Sequence, residues 1–307
     1  MRSPRYGPHC SPRTKTTIRG DAVRDPDAPA GRWGLLLTPL LAFYTLVFVA
    51  GQVVFYRLAF HPFVSRARYD DSEWTLETLK SVFVDDYNRN LVVETLRFGL
   101  TVVLICILVG FPLAYVIARS RRFGTMLLGL VIVVSFTGVV VRAIGWRAIL
   151  SGSGPMNRTL MSLGIVNEPL TFLNTMTAAV IGTAHAVLPY MVLLLTPSIE
   201  SIDRSLEEAG SSLGASPWYT FRRVVLPLST PGVLAGSLLV FATSMGTFTT
   251  VALLGGNRTP VLAIAIRQQL MTALNYPDAA AFALVLVVLV LSIVAVVVWR
   301  FGSAVSR

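Results

Sequence analysis

Leu206-Glu207-Glu208-Ala209-Gly210-Ser211-Ser212-Leu213-Gly214-Ala215-Ser216-Pro217-Trp218, running on to Val224-Val225-Leu226-Pro227, is the one long polar interruption in the second half of an otherwise apolar chain. It opens as a helix. Asp203 or Ser205 stands where a side-chain oxygen accepts from free backbone N–H groups, and Glu207 and Glu208 occupy the first turn, where the helix dipole favours negative charge. Gly210 and Gly214 weaken that helix. Ala215-Ser216-Pro217 then reads as a new start, with Ser216 as N-cap and Pro217 at the first helical position, ahead of Trp218, Tyr219, Phe221 and the basic pair Arg222-Arg223. The expectation is a helix, a small-residue turn and a second short helix.

The surroundings of this stretch are those of a membrane. Hydrophobic residues make up 54% of the 307 and charged residues only 14%, with a mean hydropathy of +0.66; a soluble domain carries about a quarter charged residues. A net charge of +10 could serve nucleic acid, but the basic residues sit mostly beside apolar runs, as topology signals do. No nucleic-acid partner is expected. Cys10 in a polar tail and Cys106 inside an apolar run offer neither a disulfide framework nor a thiolate metal site.

Residues 1–32, rich in Arg, Pro, Ser, Thr and Asp, bury too little to order themselves and read as a flexible tail. The first apolar run, about Trp33 to Ala59, is long enough to cross a hydrocarbon core of about 30 Å and is an anchor rather than a cleaved signal. Further spans run from about Val93 to Ala118 (with Pro112 inside), Thr125 to Leu150, Met176 to Pro197 (with His185 and Pro189), Pro231 to Leu254, and Ala279 to Trp299. Between the first two lies a polar, acidic stretch, about His61 to Leu91, patterned enough to fold on the membrane surface. Ser151 to Asn174 is a connection with a short helix near Arg158 to Leu163, Gly255-Gly256-Asn257-Arg258 a turn, and Val261 to Leu274 an amphipathic or partly inserted helix. The fold class is an all-α polytopic membrane protein with six transmembrane helices over residues 33–300.

Six spans put both termini on one side. The tail, the Arg119-Ser120-Arg121-Arg122 turn, the segment 203–228 and the C-terminal end hold most of the arginines, while most other acids lie in the first opposite loop. Positive residues stay inside, so both ends and the segment 203–228 are expected in the cytoplasm of a bacterial-type inner membrane.

Catalytic chemistry is mostly missing. No Gly-Lys-Ser/Thr phosphate cradle occurs, and neither Lys15 nor Lys80 follows a glycine, so the chain does not hydrolyse ATP by that mechanism. Gly210-Ser211-Ser212-Leu213-Gly214 matches a nucleophile elbow in letters, but a helix precedes it where a strand is required, and His9, His61 and His185 fall in a tail, a loop and a span. No His or carboxylate cluster has metal-ligand spacing. Glu94 and Asp278 lie at span edges and no carboxylate lies in a span interior, which argues against an ion-coupled secondary carrier, the alternative class. His185 has two readings, an inter-helix hydrogen-bonding group or a proton relay. Arg142, with Trp146 and Arg147 near the end of the third span, is an interfacial anchor or faces a translocation path. Thr243-Ser244-Met245-Gly246-Thr247-Phe248-Thr249-Thr250 suits helix packing on one face, yet its hydroxyls cover more than one, as the lining of a wet pathway does.

The polar stretch resembles the coupling loop of ATP-binding-cassette importer permeases: Glu-Ala-Ala, three residues, Gly, nine residues, an aliphatic, any residue, Leu-Pro. Glu208-Ala209-Gly210, Gly214, Val224 and Leu226-Pro227 meet that spacing, with Gly210 in place of the usual alanine at a cost of roughly 1 kcal/mol of helix propensity. Val141-Arg142-Ala143-Ile144-Gly145-Trp146, Gly154-Pro155-Met156-Asn157, Leu188-Pro189-Tyr190-Met191 and Phe248-Thr249-Thr250-Val251-Ala252-Leu253-Leu254-Gly255-Gly256 look like the spermidine/putrescine-type branch. The resemblance covers roughly residues 33–300.

It implies half of a type I importer that performs no bond chemistry and needs no cofactor. Implied partners are a cassette ATPase dimer, a second permease subunit (the same or a related chain), an extracytoplasmic solute-binding protein and membrane lipid. Glu207, Glu208, Ala209, Gly210, Gly214, Pro217, Leu226 and Pro227 become coupling residues: the glutamates to contact the ATPase cleft, Gly214 to permit the tight turn, Leu226-Pro227 to redirect the chain. Arg142, Trp146, His185, Thr247, Phe248 and Thr249 become pathway residues for a small, polyamine-like solute.

Overall fold

The computed structural model describes residues 38–65, 68–256 and 259–305, so the tail expected over 1–32, the start of the first span and the Asn257-Arg258 half of one turn lie outside the described residues. Two compact units divide after Gly51, and the packing of interest lies within the second, Gln52–Arg307. Among the described residues four helices are long and apolar enough to cross a membrane: α1 (Thr38–Phe60), α3 (Asp86–Arg119), α7 (Met176–Glu200) and α12 (Tyr276–Val305). Two bent pairs complete the set, α4 (Arg121–Phe136) with the stretch Val139–Ser162, whose first helix is α5 (Val139–Leu150), and α9 (Pro217–Leu228) with α10 (Thr230–Met245); counting each as one crossing gives up to six among the described residues.

Two expected spans are therefore interrupted. Between Phe136 and Val139 the backbone of Thr137 and Gly138 is extended (ψ 127° and 140°), and the stretches Arg122–Phe136 and Val139–Ser162 on either side are bent by 99°. A β-branched residue followed by glycine is a weak helical link, so the third crossing folds over at this point. The fifth stops at Met245, not at Leu254. Thr243 Oγ1 donates to the Leu239 carbonyl (2.7 Å) and Thr247 Oγ1 to the Thr243 carbonyl (2.9 Å). Hydroxyls bonding back beside Gly246 offer the chain an alternative to the helix ladder; helix resumes at Thr249 and widens over Val251–Gly255.

α3, α7 and α10 form the packed centre. Met191 of α7 is fully buried, and glycines on both neighbours receive it: a Cβ at Gly110 would stand 3.0 Å from its Cγ and one at Gly236 2.6 Å from its Sδ. Without a hydrophobic drive between helices in lipid, such close approach through small residues supplies the dispersion contact that holds them together. Pro112 and Pro189 sit within α3 and α7 without ending them, as happens where neighbours compensate the lost bond.

The acidic stretch after α1 is folded. A two-stranded hairpin, β1 (Phe63–Ser65) and β2 (Arg68–Tyr69), precedes α2 (Glu77–Val84). Buried His61 holds this corner together, its Nδ1 donating to the Glu73 carbonyl at 2.9 Å and its ring 4.9 Å from Trp74. α6 (Pro155–Ser162) covers the short helix expected near Arg158. At the other end of the sequence α11 (Leu262–Gln268) starts where Thr95 of α3 accepts from the Leu262 N–H at 2.9 Å.

Candidate functional site

The polar segment is a helix, a turn and a second helix. α8 (Arg204–Ser212) starts on Asp203, which accepts from the Ser205 N–H at 2.9 Å; that backbone bond, with the Ser205 hydroxyl, holds the carboxyl below the usual carboxylate range. Of the two candidate caps, Asp203 is the one used. α8 ends in a left-handed Gly214 (φ +77°), and the Ala215 N–H reaches back to the Gly210 carbonyl at 3.0 Å. A residue with a Cβ is strained in that conformation. Ser216 caps α9 through the Tyr219 N–H (3.3 Å), with Pro217 in the first helical position. Gly210 packs where a Cβ would lie 2.9 Å from Thr220 Oγ1, so α8 and α9 touch through it. The chain turns into α10 by 65° at Ser229, two residues after Pro227.

Three faces of this knob differ. Leu213, Trp218 and Tyr219 are exposed, Leu213 to 88%, beside a groove of about 630 Å³ lined by Gly210, Leu213–Ser216, Tyr219, Thr220 and Val224. A second recess of about 320 Å³ lies between Glu208, Ser211 and Pro217 on one side and Tyr115 on the other. The third face is turned to the end of α3. There Glu207 accepts from the Tyr115 hydroxyl (2.8 Å) and pairs with Arg119 (2.5 Å), with side-chain exposures of only 22% and 13%. Arg119 also donates to the Ile202 carbonyl (3.1 and 3.2 Å), while Arg204 donates to the Ala118 and Arg119 carbonyls (3.3 and 3.1 Å). Phe221 packs edge-on against Phe111 and Tyr115, ring centroids 5.3 and 5.7 Å away.

The two glutamates thus part company: Glu208 is exposed and Glu207 is turned inward. Ala209, Gly214, Pro217, Leu226 and Pro227 are exposed and Gly210 half-buried. Tyr115, Arg119, Arg204 and Phe221 were not singled out from the sequence as coupling residues. Arg119 there served only as a topology signal, because its partner lies more than eighty positions away.

The in-membrane candidates fall in two places. Arg142, Trp146 and His185 come together: the Trp146 and His185 rings meet edge-on at 5.6 Å, and Arg142 Nη1 donates to the Ala186 carbonyl at 3.0 Å. Pro189 lacks the N–H that would bond the His185 carbonyl, and this loosened turn is where Arg142 reaches in. Arg142 Nε and His185 Nδ1 are buried without a hydrogen-bond partner among the described residues. Thr247 and Phe248 lie instead in the break after α10 and Thr249 starts the helical turn that follows it, with the Arg267 guanidinium 5.3 Å over the Phe248 ring. Thr250 joins the two places, its methyl 3.1 Å from where a Cβ on Gly182 would be, one turn before His185.

Fold and site together define an all-α, multi-pass membrane protein with a braced, helical knob between two of its crossings, built like the type I importer permeases. Residues 99–301 match the model of the binding-protein-dependent transport system inner membrane components. The chain belongs to this family and is a transport permease subunit. It is 34% identical over 238 residues to the spermidine/putrescine transport system permease protein PotB of Escherichia coli (strain K12), covering 75% of this chain and 86% of PotB. It is 30% identical over 275 residues to the inner membrane ABC transporter permease protein YdcU of the same strain, covering 85% and 86%. A solved bacterial alginate ABC transporter in complex with its alginate pentasaccharide-bound periplasmic protein has the same fold (TM-score 0.69, 19% identity, 90% of this chain and 96% of that one).

Proposed function

We propose that this chain forms half of the translocation pathway of an importer for a small solute of the polyamine class, driven by a cassette ATPase that docks on the segment 203–228. The observation that carries the coupling role is the knob itself. Its exposed Leu213 and Tyr219 line a groove and its exposed Glu208 a recess, with Trp218 also exposed, while its opposite face is fixed to the protein by Glu207, Arg119 and Phe221. An aromatic and aliphatic anchor beside a pocket with one free charge is the chemistry of an interface centre. The solute class rests on the 34% identity to a spermidine/putrescine permease.

In this reading Glu208 contacts the ATPase and Glu207 braces the knob from behind. ATPase closure then displaces the knob as a rigid body, and alternating access follows from the crossings it carries. Arg142, Trp146 and His185 border the pathway, with Thr247, Phe248 and Thr249 at the unwound end of the fifth crossing. Both termini and the knob lie in the cytoplasm, a second permease completes the pathway, and an extracytoplasmic binding protein delivers the solute.

The test is affinity purification from native membranes with and without Glu208→Arg. Recovery of a cassette ATPase with the unaltered chain, and its loss from the variant, is expected. Labelling from outside intact cells of a cysteine placed at Ser216 would overturn the reading, since it puts the knob on the wrong side.

A further inference from the structure

The covalent joints of the knob are both turns. α7 passes to α8 through Ser201–Asp203, and α9 passes to α10 through the 65° break at Ser229. Turns hinge. The non-covalent attachment, by contrast, includes several side-chain contacts to the end of α3, beside Val225, which is buried in the central core. Arg119 holds both the Glu207 carboxylate and the Ile202 carbonyl. Tyr115 holds the other carboxylate oxygen. Arg204 returns two bonds to the last carbonyls of α3, and Phe221 fills the gap between Phe111 and Tyr115. Breaking such a half-buried ion pair leaves a carboxylate without its partner, so the assembly resists parting.

α3 has a second attachment at its other end. Buried Thr95, whose hydroxyl donates to the Leu91 carbonyl (2.6 Å), accepts from the first N–H of α11 (2.9 Å). α11 carries Arg267, whose guanidinium lies over Phe248 at the unwound end of the fifth crossing. From Thr95 to Arg119 the helix spans roughly 36 Å at about 1.5 Å per residue. α3 therefore joins the knob to the far end of the pathway region as one rod.

We propose that Arg119, Tyr115 and Glu207 are positioning residues that lock the knob to α3, so that displacement of the knob reaches α11 and Phe248 through α3. This rests on the reading of the knob as an ATPase docking site. The lock makes α3 the element that transmits the stroke, and the crossings joined to the knob by turns follow it.

The experiment uses the chain assembled with its ATPase and second permease in lipid nanodiscs, carrying Cys10→Ser and Cys106→Ala. The reporter is Met271→Cys; Met271 lies in the helical turn Gln269–Ala273 that follows α11 and is 71% exposed. The labelling rate by N-ethylmaleimide is compared without nucleotide and with ATP plus vanadate, which needs no knowledge of the solute. With the lock intact, the nucleotide should change the rate by at least about fivefold, the lower end of ordinary coupling. In Arg119→Ala that ratio should fall below about twofold while the ATPase remains bound and hydrolyses ATP, and Arg119→Glu with Glu207→Arg should bring it back. Where Arg119→Ala fails to assemble, the near-isosteric pair Tyr115→Phe with Glu207→Gln is read in the same way. A purely structural role would lower the yield of complex and leave the ratio untouched. An unchanged ratio in an assembled lock variant overturns the lock alone; an unaltered chain that holds no ATPase overturns both the lock and the docking reading.

Discussion

Replacing Gly210 by alanine sets two effects of similar size against each other. In an isolated helix the change gains roughly 1 kcal/mol. In this protein the new Cβ would stand 2.9 Å from Thr220 Oγ1 and 3.3 Å from its Cγ2. Thr220 is only 6% exposed and β-branched, so rotating it out of the way carries its other γ-atom towards the same space. Relief must come from moving α9 away from α8, an overpacking cost of about 1–3 kcal/mol. The net expectation for Gly210→Ala is a loss of about 0–2 kcal/mol, with the knob loosened. Thr220→Ala removes both γ-atoms, so the double variant should recover the helix gain, and the coupling energy should be favourable by about 1–3 kcal/mol. Equilibrium unfolding in mixed micelles, followed by tryptophan emission for the four proteins of the cycle, measures it. A Gly210→Ala variant stabilised by the whole propensity gain, with effects additive to about 0.5 kcal/mol, would refute the claim that the glycine is there for contact with Thr220.

Gly182→Ala places a Cβ against the buried Leu254 side chain and 3.1 Å from the Thr250 methyl; a loss of about 1–3 kcal/mol in the same unfolding assay is expected, partly relieved by Leu254→Ala. Asp203 has a folded pKa below its unfolded one, so its cap stabilises α8 at pH values above the unfolded pKa and is lost as pH falls through the lowered folded value. Hydrogen exchange of the α8 amides, corrected for intrinsic rates, should therefore quicken below about pH 4, and Asp203→Asn should flatten that dependence. Arg142→Gln removes the charged donor at the Ala186 carbonyl; under the proposed polyamine-importer function it should slow ATP-dependent uptake of the solute about tenfold with the assembled complex intact, a loss of the size expected for one charge-assisted bond. Uptake equal to that of the unaltered chain would take Arg142 out of the pathway.

Much of the architecture is legible in the chain because membrane insertion reads local quantities. Apolar runs of sufficient length, the arginines beside them and the capping residues Ser216 and Pro217 act within a few positions of themselves. Long α3, α7 and α12 appear where hydropathy places them. The knob is legible for the same reason: a glycine at φ +77° and two N-caps are requirements of the backbone, and the sequence spells them out. The interruptions at Thr137-Gly138 and after Met245 were less visible. The residues there are compatible with a continuous span, and hydroxyl bonding to carbonyls such as Leu239 and Thr243 competes with helix only in the folded context.

By itself, then, the sequence determined an all-α membrane protein, the place of its polar segment 203–228, and the local form of that segment, since each depends on hydrophobicity or backbone preference over a short window. Only the tertiary structure decided which glutamate faces outward. Glu207 and Glu208 are chemically alike and adjacent, and a helix turns successive residues by about 100°, so what distinguishes them is what stands opposite. Arg119 and Tyr115 do so from the end of α3, brought there by the packing of α3 on α7 around Met191. The gathering of Arg142, Trp146 and His185 has the same origin, a bend between α4 and α5 and a proline in α7 acting together. Such contacts are set by how helices cross, a property of the whole assembly rather than of any one stretch.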